Sequence, residues 1–132
     1  MDVQQRALLE TAYRALENCD NFTLKYASLR LTKDAPAMPL EKVNGSKTSV
    51  HTGSFADDYR LMTLRDQEGL PKHAATGASI SILANRFSWF FNFSGPSVHL
   101  DSACSSSMMA LDMACQGLRS GDSNMVLPST CD

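Results

Sequence analysis

Asp101-Ser102-Ala103-Cys104-Ser105-Ser106-Ser107 is the stretch whose reading decides the fold. A short apolar strand pattern runs into it from Ser97, and a helical pattern runs out of it to about Arg119. On the strand side, Val98, Leu100 and Ser102 alternate with His99, Asp101 and Ala103, so Ser97–Ala103 reads as a buried strand. On the helix side, Ser106, Ala110, Ala114 and Gly117 make a small-residue face. Met108, Leu111, Cys115 and Leu118 make an apolar one, and Gly121 stands where a C-terminal cap belongs. A strand that turns sharply into a helix presents one side chain above the helix N-terminus. Cys104 in that place faces the positive end of the helix dipole, where free backbone N–H groups can hold a developing oxyanion. Ala103, Ser105, Ser106 and Ser107 are small and leave room for a substrate.

Working outward, Thr76–Phe91 reads as one mostly buried helix with a stripe of Ile80, Leu83, Ala84, Phe87 and Phe91, widened by Ile82 and Trp89. Arg86 within it needs a carboxylate, a backbone carbonyl or a route to the surface. Lys47–Thr52 reads as a buried strand ending at Gly53, Asp57–Arg65 as a short helix, and Asp66–Lys72 as loop. Asp2–Asn18 is an amphipathic helix that Asp2 can cap, with Cys19 at its end. Asp20–Pro39 has no clean period, carries the breakers Pro36 and Pro39, and reads as a surface insertion. Met125–Leu127 begins a strand that Pro128 is expected to stop. Helices alternating with strands predict an α/β layered domain.

The chain has 132 residues, 43% of them hydrophobic, and a net charge of -2, so neither nucleic acid nor an anionic membrane surface is indicated. Between His73 and Leu100 the only formal charge is Arg86, which predicts a buried region. The polar N-terminus is no signal peptide, and Ile80–Phe93 is too short and too interrupted to span a bilayer. A soluble, cytoplasmic protein is expected, with Cys19, Cys104, Cys115 and Cys131 reduced. His51, His73 and His99 are scattered, and neither they nor the cysteines have zinc spacing, so no metal is expected. Strand alternation aims His99 away from the face of Cys104, so no partner base is evident and a cysteine hydrolase is a weak reading.

The stretch Asp101–Ser107 closely resembles the active-site signature of β-ketoacyl synthase domains of polyketide synthases. Met1-Asp2-Val3-Gln4-Gln5-Arg6 resembles the family's N-terminal motif, with Val3 where proline is usual. Gly53-Ser54-Phe55 with Asp58-Tyr59, and Ala75-Thr76-Gly77 through Ile82-Leu83-Ala84-Asn85-Arg86 to Ser88-Trp89-Phe90-Phe91, resemble the fungal iterative, highly reducing type. Gly95-Pro96-Ser97 and Ala114–Gly121 are similar too.

The resemblance implies a partial thiolase-like αβαβα fold over residues 1–132, incomplete at both ends and dimeric in the full enzyme. It implies that Cys104 accepts an acyl chain from the phosphopantetheine arm of an acyl carrier protein, with no directly bound cofactor. Its backbone N–H would be half of an oxyanion hole. A malonyl thioester would then decarboxylate and attack the Cys104 thioester. The family's two catalytic histidines lie in motifs downstream of the cysteine, and none of His51, His73 or His99 matches them. The fragment alone is therefore expected not to condense, and a non-catalytic relic with dimer or carrier-docking surface is the alternative. Residues 20–37 interrupt the family pattern and suggest a translated intron, and residues 127–132 suggest an out-of-frame tail.

Overall fold

Thr48–Gly53 (β1) is buried at every position, and the other elements are arranged around it. The computed structural model describes residues 1–17, 40–65, 69 and 71–130. Cys19, the insertion at residues 20–37 and Cys131 lie outside the described residues. In chain order the helices are α1 (Val3–Glu17), α2 (Leu40–Val43), α3 (Asp58–Leu64), α4 (Ala74–Ala78), α5 (Ile80–Phe90) and α6 (Ser106–Ser120). The other strands are β2 (Ser97–Leu100) and β3 (Met125–Thr130). They form a parallel sheet in the order β2-β1-β3, with His51 opposite Val98 on one side and Pro128 on the other.

Alternation along β1 divides the packing between two faces. Val50 joins Leu8, Ala12 and Leu16 of α1 and Leu83, Ala84 and Phe87 of α5 in the main core. On the other parity, Ser49 Oγ bonds Ser123 Oγ at 3.1 Å and Gly53 lies against Ser106 of α6. The result is a sheet with helices on both faces, the α/β layering expected. Backbone approaches at the two ends of β1 leave no space for a side chain. A Cβ on Gly53 would stand 2.6 Å from the Ser106 carbonyl oxygen, and one on Gly95 would collide with the Thr48 backbone.

The expected helix at the N-terminus forms, and Asp2 caps it: its Oδ1 accepts the Gln4 N–H at 3.0 Å. Gly121 takes the left-handed C-cap conformation at φ 79°. Arg86 finds a backbone carbonyl, donating from Nη2 to Thr76 at 2.7 Å. Among the described residues no helix is long and apolar enough to cross a membrane.

Four expectations need correction. Thr76–Phe91 is not one helix: it breaks at Ser79, which is extended at φ −73° and ψ 132°. The first helix of the chain takes over the backbone there, as the Asp2 N–H donates to the Gly77 carbonyl at 2.7 Å and Gln5 Nε2 to that of Ser79 at 3.4 Å. Helix α5 buries Leu83, Ala84 and Phe87, while Trp89 is 79% exposed and Phe90 57%. Helix α6 is buried only on its small-residue side, through Ser106, Ala110 and Ala114. Met108 and Leu111 are exposed and Cys115 and Leu118 half-buried, because the small residues are the ones that come nearest the sheet. Strand β2 is half-buried and stops at Leu100, where the chain bends out of the sheet. Strand β3 runs through Pro128, since among the described residues it pairs only with β1 and an outer strand tolerates a missing N–H.

The buried and exposed aromatics of α5 separate cleanly by mutation. Phe87→Ala, at a position with 0% exposure, is expected to lose about 3–5 kcal/mol in urea unfolding. Trp89→Ala is expected to stay within about 0.5 kcal/mol of the unaltered chain.

Candidate active site

The sheet's C-terminal end holds the turn that carries Cys104. The Ser54 N–H donates to the Leu100 carbonyl at 3.2 Å, which fixes the ends of β1 and β2 together. Past Leu100 the chain reverses through Ala103, whose φ is +54°. That left-handed conformation is disfavoured for an L-residue with a Cβ. Side chains hold it. Asp101 Oδ1 accepts the Ala103 N–H at 3.1 Å. Ser106 Oγ accepts the Ser102 N–H at 2.8 Å and donates to the Ala103 carbonyl at 2.6 Å. Ser105 Oγ donates to the Ser102 carbonyl at 2.7 Å.

Cys104 emerges from this turn as an exposed, free thiol at the entry to α6. The N–H groups of Ser102, Ala103, Ser105 and Ser106 all have acceptors in the turn. Among the described residues no acceptor meets the Cys104 N–H. An exposed sulfur and an unengaged N–H on the same residue suit attack on a carbonyl whose oxygen becomes negative. The strain of the elbow falls on Ala103, one residue before the thiol.

The serines read from sequence as small spacers therefore have a different part. Ser106 is fully buried and two of its neighbours' backbone groups depend on its hydroxyl. One sequence signal points to this arrangement: an Asp two residues before Ala103, the spacing at which a carboxylate bonds its own backbone in a turn.

The histidines lie elsewhere. His99 Nδ1 is 3.0 Å from Thr52 Oγ1, a packed and hydrogen-bonded strand residue on the Val50 side of the sheet. Burial pushes its pKa down, against the opposing pull of the Asp101 carboxylate and the Ser54 backbone. His51 is 5% exposed within β1, neither ring nitrogen has a partner among the described residues, and burial lowers its pKa as well. His73 is exposed at the start of α4. A separate cavity of about 510 Å³ lies among α3, α4 and α5, with Arg60, Leu64, Thr76 and Ile82 in its walls and no residue of Asp101–Ser107.

Two measurements check this geometry. Both histidine shifts are downward, so the folded chain keeps the rings neutral while the unfolded chain protonates near the usual 6.5. Stability is expected to be full above that pH and to fall as pH drops from 6.5 through the lowered folded values. Urea midpoints at pH 8 and pH 5.5 read the loss, and His51→Phe should shrink it. Gly53→Ala, whose Cβ would meet backbone rather than a movable side chain, is expected to destabilise by about 1–3 kcal/mol in the same assay.

Residues 1–131 match the family model described as "Beta-ketoacyl synthase, N-terminal domain". The chain is 50% identical over 127 residues to a hybrid PKS-NRPS synthetase, apdA, of Emericella nidulans, covering 96% of this chain and 3% of that protein. It is 43% identical to a highly reducing polyketide synthase of Didymella fabae, again over 96% of this chain and 6% of that protein. Among solved structures, the ketosynthase from module 6 of the Bacillus subtilis bacillaene synthase superposes with a TM-score of 0.69 at 25% identity, over 96% of this chain and 17% of that one. An oxazolomycin ketosynthase domain from Streptomyces albus gives 0.61 at 38% identity, over 92% of this chain and 18% of that one. The chain thus spans a small part of the proteins it matches.

Proposed function

Because the chain belongs to the β-ketoacyl synthase family, we propose that it is the acyl-accepting segment of a polyketide synthase condensing domain, with Cys104 as the nucleophile. The observation that carries this reading is the exposed Cys104 thiol with its own N–H unengaged, at the entry to α6. Its sulfur, as thiolate, attacks the carbonyl carbon of an acyl thioester on the phosphopantetheine arm of an acyl carrier protein. The carbonyl oxygen gains the charge, and the unengaged Cys104 N–H is the donor proposed for it. The carbon–sulfur bond to the carrier then breaks, and the carrier thiol leaves with the proton that Cys104 gave up. Covalent storage divides a difficult step into easier ones.

The second half of the reaction needs a malonyl thioester to lose carbon dioxide and its carbanion to attack the Cys104 thioester. Neither His51, buried in β1, nor His99, held by Thr52, is assigned to that step. The decarboxylating groups are assigned to the remainder of a full condensing domain, since this chain covers 17% of the ketosynthase structure it matches. A dimer in the full enzyme belongs to the same proposal, and the exposed Trp89, Phe90 and Met108 are the surfaces available to it.

Incubation with a butyryl N-acetylcysteamine thioester, followed by peptide mapping, tests the acyl-transfer half. The expected adduct is on Cys104, at least about tenfold above Cys115. No label on Cys104, or equal label on Cys19, Cys104 and Cys115, sinks the reading and favours the non-catalytic alternative.

A further inference from the structure

We infer that Asp101 and Ser106 are positioning residues for Cys104, locking the Ala103 peptide in the left-handed turn that aims the thiol and its N–H. This rests on Cys104 being the acyl acceptor. Two of the backbone groups held here belong to the strained residue's own peptide planes, the Ala103 N–H and the Ala103 carbonyl, which also accepts the Ser106 N–H at 3.0 Å, and the third, the Ser102 N–H, lies one peptide upstream. Each is bound by one of these two side chains. An alanine at φ +54° relaxes toward negative φ when such restraints are lost. Relaxation reverses the direction of the next peptide, and the Cys104 N–H and Sγ turn together away from a common target.

The two side chains hold the turn in different ways. Ser106 is fully buried, and its oxygen both accepts and donates inside the turn, so water has no route to replace it. Asp101 is exposed, and its oxygen holds the Ala103 N–H in competition with water. Within the turn the Asp101 carboxylate makes this one hydrogen bond. Its use to the site is therefore geometric, as an acceptor for one N–H, and an amide oxygen at the same place serves equally well.

The test uses the full chain, with acylation by the butyryl thioester and alkylation by iodoacetamide measured side by side from pH 6 to pH 9. Alkylation reads access and ionisation of the sulfur, and acylation also reads its alignment with the N–H. Asp101→Ala is expected to slow acylation of Cys104 by about tenfold, the rate equivalent of one hydrogen bond, while alkylation stays within about twofold. Asp101→Asn is expected to restore acylation, with an unmoved pH midpoint. Ser106→Ala is expected to slow acylation at least as much, with circular dichroism reporting whether the fold survives. The exposed Asp101 variants decide the matter if it does not. Unchanged acylation in Asp101→Ala overturns the inference. So does an Asp101→Asn variant that stays slow and shifts both pH profiles, since the charge is then what matters. An unaltered chain that is alkylated but never acylated at Cys104 overturns the acyl-acceptor reading itself, and this inference with it.

Discussion

The contact between the end of β1 and the first turn of α6 is the constraint on which the rest depends. Gly53 brings its backbone so near the Ser106 carbonyl that no side chain fits between them. That approach lets α6 lie on the sheet with Ser106, Ala110 and Ala114 as its fully buried residues. It also buries the Ser106 hydroxyl, and a buried hydroxyl must find partners. The partners it finds are the backbone groups on either side of Ala103. Packing, hydrogen bonding and the left-handed turn are thus consequences of one close approach. Cys104 stands where it does because a glycine stands at the end of the central strand.

The N-terminal motif acts at a distance on the same end of the sheet. Gln4 Nε2 donates to the Ala56 carbonyl at 3.1 Å, just beyond β1, and Gln5 Nε2 to Ser79 between α4 and α5. With the Asp2 N–H on Gly77, the start of α1 is joined to segments far away in sequence. These amide contacts fix where the loop after β1 and the break at Ser79 sit, and apolar packing of Leu8, Ala12 and Leu16 holds the helix that delivers them. A motif that looks like a polar helix start is a tertiary anchor.

Much of this was readable from residue pattern where the pattern is local. The periodicity of α1, the weak alternation of β1 up to Gly53 and the Gly121 cap need only neighbours in sequence, and each appears where its residues indicate. What escaped depends on partners from elsewhere in the chain. Thr76–Phe91 has helical spacing throughout, yet Gln5 and Asp2 claim the carbonyls that would have carried it past Ser79. Pro128 stops a strand by propensity, but an outer position with pairing on one side accepts it. At the site, the strand-to-helix joint and the exposed Cys104 were legible. The hydroxyl network was not, because a serine's role there is set by the φ of Ala103, and an alanine carries no signal of its own left-handed conformation.

That alanine also limits how the sequence can drift. Ala103 needs a side chain unbranched at Cβ for the left-handed region, where branched side chains are genuine outliers. Cys104, in contrast, is exposed, and its side chain meets little steric restriction from the fold. The fold would therefore accept many residues at the reactive position and fewer at the one before it. Of the two neighbours, chemistry guards the cysteine and backbone geometry guards the alanine. Glycine is the natural alternative at 103, and it would leave the turn without the stiffness that an alanine, once held there, provides.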